Sequence, residues 1–155
     1  MKMYKLIIFS IALFLICETT NAQDAQLNPE FHKSKRDALR AKMPANSVAI
    51  LFANPVRNRA NDVDFIYHPD PNFYYLSGFK EPQSVLVIYK ETQQDAEGGY
   101  LDQLFVQERN AAREQWNGYR LGVEGAKKLG LDRVLLRSEF INNQTNFTSF
   151  KEVLI

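Results

Sequence analysis

The sequence predicts an α/β fold, a mixed sheet flanked by helices, and three observations carry that expectation. Residues 84–89 (SVLVIY) form an almost unbroken apolar run rich in β-branched side chains. Such a run is best satisfied as a central strand buried on both faces. Strand-like and helix-like stretches alternate along the chain, which favours sheet and helices in layers. Two cap-plus-proline pairs, Asn28-Pro29 and Asp70-Pro71, mark helix starts, because Asn and Asp accept from the first turn and proline suits its opening position.

In chain order, residues 1–22 read as a targeting segment. Lys2 and Lys5 open it, residues 6–17 are apolar except for Ser10, and residues 18–22 are polar with a cleavage site expected after Ala22. Twelve apolar residues at ~1.5 Å rise fall short of ~30 Å of hydrocarbon. A lipoprotein signal at Cys17 is set aside because Ile16, not a small residue, precedes it. Export is therefore expected, to a periplasm or the extracellular space, with a mature domain of residues 23–155. Cys17, the only cysteine, would leave with the signal. An exported chain without disulfides suits a bacterial periplasm better than a small secreted scaffold. Without Lys2, Lys5 and Glu18, 17 basic and 17 acidic residues remain. No basic stripe stands out, which argues against nucleic acid or an anionic membrane surface as a partner.

A first helix is expected from Pro29 to Pro44, with Phe31, Ala38, Leu39 and Met43 on one face and Lys33, Lys35, Arg36 and Arg40 mostly on the other. Residues 47–53 (SVAILFA) read as a buried strand, 54–64 as a polar loop, and 65–67 as a short edge strand ended by Pro69. A helical turn after Pro71 presents Phe73, Tyr74 and Leu76 and stops at Gly78. Glu81-Pro82 marks a corner before the central strand. Residues 91–99 read as a polar hairpin tip and 101–107 as the returning strand. Helical patterns come next, from Asn110 and over 123–129, the second closed by Gly130. Residues 133–136 read as a short strand. Ser138 is expected to cap a last helix bearing Phe140, Ile141, Phe147, Phe150 and Leu154.

The chemistry is sparse. His32 and His68 lack the paired spacing of a zinc site. Asp62, Asp64 and Asn61 offer too few oxygens for calcium. There is no Gly-rich phosphate cradle, no nucleophile elbow and no mature thiol. Asn143 and Asn146 each begin an N-x-T glycosylation pattern. One block stands apart: WNGYRLG, residues 116–122, sets the only tryptophan, a tyrosine and an arginine around two glycines. Trp, Tyr and Arg are the types most enriched at binding hot spots. A tryptophan plugging the core at a helix end is the competing reading.

Residues 47–67 (SVAILFANPVRNRANDVDFIY), 72–90 (NFYYLSGFKEPQSVLVIYK) and 116–134 (WNGYRLGVEGAKKLGLDRV) resemble the N-terminal domain of aminopeptidase P (Xaa-Pro aminopeptidase). The resemblance covers about residues 31–150 and implies the ribonuclease H-like creatinase/prolidase N-terminal fold. It implies an enzyme that releases the residue preceding proline, with the chemistry in a C-terminal domain that carries two metal ions, usually manganese, on two Asp, one His and two Glu. This chain would then contribute no catalytic residue and bind no metal. Its partners would be that peptidase domain, further copies of itself in a homo-oligomer, and proline-containing peptides. The resemblance also makes Trp116, Tyr119, Arg120, His68 and Tyr74 candidates for the substrate rim or an interface, Trp116 by reaching a neighbouring subunit's substrate region. The family commonly has arginine where His68 stands. The chain is expected to end inside its last helix, as an early stop in a longer peptidase. Two other readings stay open: a stand-alone exported interaction module without catalysis, and a degenerate remnant.

Overall fold

A computed structural model describes residues 28–142 and 147–155. The expected signal segment, Cys17, Asn143 and Asn146 lie outside the described residues. A five-stranded mixed sheet forms the centre. Its strands are β1 (Ser47–Phe52), β4 (Val85–Asp95), β5 (Gly98–Val106), β6 (Arg133–Leu136) and β7 (Glu152–Leu154), in spatial order β6-β5-β4-β1-β7. β4 pairs antiparallel with β1 and β5, while β6 and β7 add parallel strands at the two edges.

The expected central strand is central. Val85 to Tyr89 are all buried, with Leu86 and Ile88 facing one core and Val87 and Tyr89 the other. On the first face lie α1 (Pro29–Lys42), α2 (Pro71–Ser77) and α4 (Gly122–Ala126), the last continued by a 3-10 turn over Lys127–Leu129. On the second lie Phe140, Phe147 and Phe150, with Phe140 carried by α5 (Arg137–Asn142). α3 (Ala111–Asn117) buries no residue.

Both cap-plus-proline signals hold. Asn28 accepts from Phe31 N at 2.8 Å and Asp70 from Phe73 N at 2.8 Å, each one residue before a proline. Gly78 ends α2 with φ 71°, and a Cβ there would meet His32 Cδ2 at 2.7 Å. Only glycine suits both the left-handed angle and that contact.

Four expectations for residues 29–99 are corrected. The inner row of α1 is His32, Arg36 and Arg40, continued by Met43 just past its end, all buried, while Ala38 is exposed. Arg36 and Arg40 turn inward because a carboxylate and several carbonyls await them: Arg36 Nε donates to Asp102 Oδ2 at 2.8 Å and Arg40 Nε to Tyr89 O at 3.0 Å. The loop 54–64 contains a hairpin, β2 (Asn58–Ala60) with β3 (Val63–Asp64), turning through Asn61 at φ 51°. Residues 65–67 form no strand, and Phe65 and Ile66 are exposed. The polar tip is shorter than expected, since β4 runs to Asp95 and β5 starts at Gly98.

The last helix is replaced by three short elements. α5 stops at Asn142, Phe147–Ser149 make a 3-10 turn, and β7 lies beside β1 with Val48 opposite Val153. Ser138 sits inside α5 and is not its cap. Glu139 reaches back instead, its Oε1 accepting from Leu136 N at 2.9 Å. Physically, the free edge of β1 offers a ladder to the β-branched Val153.

Candidate functional site

The expected site block is built on an element that buries no residue. Asn110 caps α3, its Oδ1 accepting from Ala112 N and Arg113 N at 3.1 and 3.3 Å. Gly118, at φ 75°, turns the chain out of it. Trp116 is 81% exposed, so the reading of a core plug fails. No ring or cation contact to its indole occurs among the described residues.

The backbone just beyond Trp116 is tied down by carboxylates. Glu114 receives Arg109 through Nε at 2.8 Å and Nη2 at 3.3 Å, and Arg109 also lies over the Tyr119 ring at 4.7 Å. The same Glu114 accepts from Arg120 N at 3.3 Å. The Arg109 guanidinium holds the Glu114 carboxyl below the usual range. One residue further, Leu121 N donates to Glu81 Oε1 at 2.7 Å. Glu81 is buried, and its Oε2 has no hydrogen-bond partner among the described residues. Desolvation pushes its pKa above the ordinary carboxyl range, opposed by Leu121 N–H and the Arg120 charge and reinforced by Glu114.

The corner before β4 is thus bolted to the aromatic block. Arg120 also acts on Tyr67, whose buried hydroxyl lacks a partner among the described residues. Burial raises the pKa of that phenol, Arg120 lowers it and Asp70 raises it. The Arg120 guanidinium donates no hydrogen bond among the described residues. It lines a groove of about 360 Å³ between α3 and α5, together with Arg113, Arg137, Gln107 and Asn117.

The other two candidates stand apart. His68 is exposed, lines a separate groove with Phe65, Ile66 and Arg57, and has its backbone oxygen bonded to Asn54 Nδ2 at 3.2 Å. Tyr74 is half-buried, packs edge-on against His32 at 5.5 Å and lies under Lys80 Nζ at 5.3 Å. Tyr74 therefore packs beside α1, while Trp116, Tyr119 and Arg120 share one segment.

Sequence reasoning misses Glu81, Tyr67, Glu114, Arg113 and Arg137. For Glu81 a signal exists: a lone carboxylate between Phe79 and Pro82, ahead of a strand buried on both faces, has few routes to water.

The arrangement offers a presented aromatic ring and guanidinium groups, which bind and orient. Among the described residues no group of three or more His, Cys, Asp or Glu side chains is placed to hold a metal ion. The described residues therefore do not fit a two-metal centre. Among the same residues, no helix is long and apolar enough to cross a membrane.

Comparison with known proteins agrees with the geometry. The family described as "Aminopeptidase P, N-terminal domain" matches residues 32–150. The Xaa-Pro aminopeptidase of Escherichia coli is 36% identical over 121 residues, covering 77% of this chain and 26% of that protein. Xaa-Pro aminopeptidase 3 of Dictyostelium discoideum is 38% identical over 101 residues, covering 64% of this chain and 19% of that protein. Among solved structures, the low-pH form of E. coli aminopeptidase P superposes with a TM-score of 0.66 at 36% identity, over 77% of this chain and 26% of that one. The Yersinia pestis proline aminopeptidase P II gives 0.65 at 39%, over 76% of this chain and 26% of that one. The chain thus spans about a fifth to a quarter of the proteins it matches.

Proposed function

The chain belongs to the aminopeptidase P N-terminal domain family, and from that premise we propose that it serves as the non-catalytic rim domain of an exported Xaa-Pro aminopeptidase. The observation that supports this most is Trp116: an aromatic ring presented to solvent on an element that buries nothing. A side chain of that size is held outward at a cost in apolar exposure, which a binding role offsets. Arg109, Glu114 and Glu81 fix the segment behind it, so the ring is offered from a rigid base.

In this reading residues 1–22 direct export and are removed, and residues 23–155 form the domain. The peptide bond is cleaved in a joined C-terminal domain carrying two manganese ions, and copies of the protein assemble so that Trp116 borders a neighbour's substrate. This chain contributes position and shape, not a reacting group. The test is Trp116→Ala in the protein that includes the peptidase domain, assayed on a peptide with proline second. A fall in kcat/KM of about tenfold is expected, on the scale of one hot-spot contact. Unchanged kinetics overturn the rim assignment.

A further inference from the structure

We propose that the groove between α3 and α5 is a binding site for a carboxylate-bearing peptide, held through Arg113, Arg120 and Arg137. This site rests on the chain's proposed handling of peptides, and it fixes where their charged end goes.

The arginines fall into two groups. Arg36, Arg40, Arg109 and Arg133 each have a carboxylate within ion-pair distance. Among the described residues Arg57, Arg59, Arg113, Arg120 and Arg137 have none. Three of those five converge on the lining of one groove, of about 360 Å³. Their only side-chain hydrogen bond among the described residues is a long one, Arg137 Nη1 to Gln83 Oε1 at 3.4 Å.

Two carboxylates also line the groove, and they leave its guanidiniums in excess. Glu114 is committed to Arg109 in a two-pronged contact. Glu108 makes no ion pair among the described residues. Arg120 is drawn toward Glu81 electrostatically, yet that carboxylate spends its Oε1 on Leu121 N and lies at no ion-pair distance from it. The rest of the lining sets the amides Gln83, Gln107, Asn110 and Asn117 and the Ser138 hydroxyl beside Gly118 and the apolar Leu136 and Ile141.

Such a lining recognises a planar anion attached to a hydrogen-bonding chain. Guanidinium forks match carboxylates in two-pronged geometry, and amide side chains satisfy the donors and acceptors of a peptide backbone. Asn117 and Gly118 belong both to this groove and to the segment presenting Trp116. A peptide touching Trp116 can therefore continue into the groove and place its carboxylate among the arginines.

The test is calorimetric titration of the full chain with the pentapeptide Ala-Pro-Ala-Ala-Ala as free acid and as C-terminal amide. The free acid is expected to bind at least about tenfold more tightly than the amide, the scale of one charge-assisted contact. Arg113→Ala and Arg137→Ala should each remove most of that difference, while Arg57→Ala, in the other groove, leaves it intact. Equal binding of acid and amide, or an undiminished preference in both groove variants, overturns the site. Inorganic phosphate binding as tightly as the free acid overturns the peptide assignment and leaves a plain anion site. Docking is read without hydrolysis, so the two proposals fail separately. Peptide preference retained while Trp116→Ala leaves cleavage untouched removes the rim alone, and the reverse pattern removes the groove alone.

Discussion

Arg36 Nε lies 2.8 Å from Asp102 Oδ2, both side chains at most 5% exposed, and this pair joins α1 to β5 through the centre of the domain. Asp102 Oδ2 also takes Arg40 Nη2 at 3.3 Å, and its Oδ1 takes Asp132 N at 2.9 Å. Arg36 gives its remaining prongs to Leu76 O at 2.9 Å and Gly130 O at 2.6 Å. One guanidinium thereby ties the ends of α2 and of the 3-10 turn to the sheet. Asp102→Ala leaves Arg36 without a carboxylate and Arg40 with only the half-exposed Asp37, and is expected to cost about 3–5 kcal/mol. Arg36→Met should cost a similar amount. The double variant should fall short of the sum by more than about 1 kcal/mol, because the two losses share one interaction. Chemical denaturation of the four proteins checks this, and simple additivity would refute the coupling.

His32 and Gly78 form a second contact of this kind. The His32 ring is buried, bonded through Nδ1 to Tyr75 O at 2.9 Å and flanked by Phe31 and Tyr74. It cannot swing away from a new Cβ at residue 78. Gly78→Ala therefore meets both an unfavourable φ and a fixed ring, at a total of about 2–4 kcal/mol. In a His32→Ala background only the backbone part should remain, about 1–2 kcal/mol. Equal costs in both backgrounds would show that the ring plays no part.

How much of the fold is legible in the chain depends on where each residue's partner lies. The two cap-plus-proline helices, the central strand and Gly78 are local signals, written within a few residues, and each is readable. Arg36 and Arg40 escape such reading because their partners sit far along the chain, and apolar periodicity alone rotates α1 so that Ala38 faces inward. β7 escapes it for the same reason: its identity as a strand depends on the open edge of β1. Of the site, the exposed Trp-Tyr-Arg block is visible as composition. Its anchor is not, because the Glu81–Leu121 bond spans 40 residues.

Glu81 makes stability depend on pH with a definite sign. Its folded pKa lies above the ordinary glutamate value because of desolvation. Between the unfolded and folded values the native state holds more protons, so stability falls as pH rises through that window and stays lower above it. Glu81→Gln keeps an oxygen for Leu121 N–H and removes the buried charge. It should match or exceed the parent above the window and lose this part of the pH dependence. Glu81→Leu orphans the Leu121 amide and should destabilise by about 1–3 kcal/mol while speeding exchange of that amide. Thermal melts from about pH 4 to 8, spanning the carboxyl range, decide the matter together with amide exchange at Leu121. A Gln variant with the parent's pH profile would contradict the assignment.

Trp116 should matter little to folding, and that separates a presented ring from a packed one. It is 81% exposed on a helix that buries no residue, so Trp116→Ala is expected to shift stability by no more than about 0.5 kcal/mol. It is also the only tryptophan, so its fluorescence reports on this position alone. Native emission should already resemble that of a solvated indole and change little on denaturation, while far-ultraviolet circular dichroism reports the unfolding of the sheet. If the ring is covered by a second copy of the chain, emission will shift to shorter wavelength as concentration rises, and Trp116→Ala will abolish assembly and leave the monomer's stability unchanged. A native emission at short wavelength and independent of concentration would mean the ring is packed within its own chain, and the presented tryptophan would have to be abandoned.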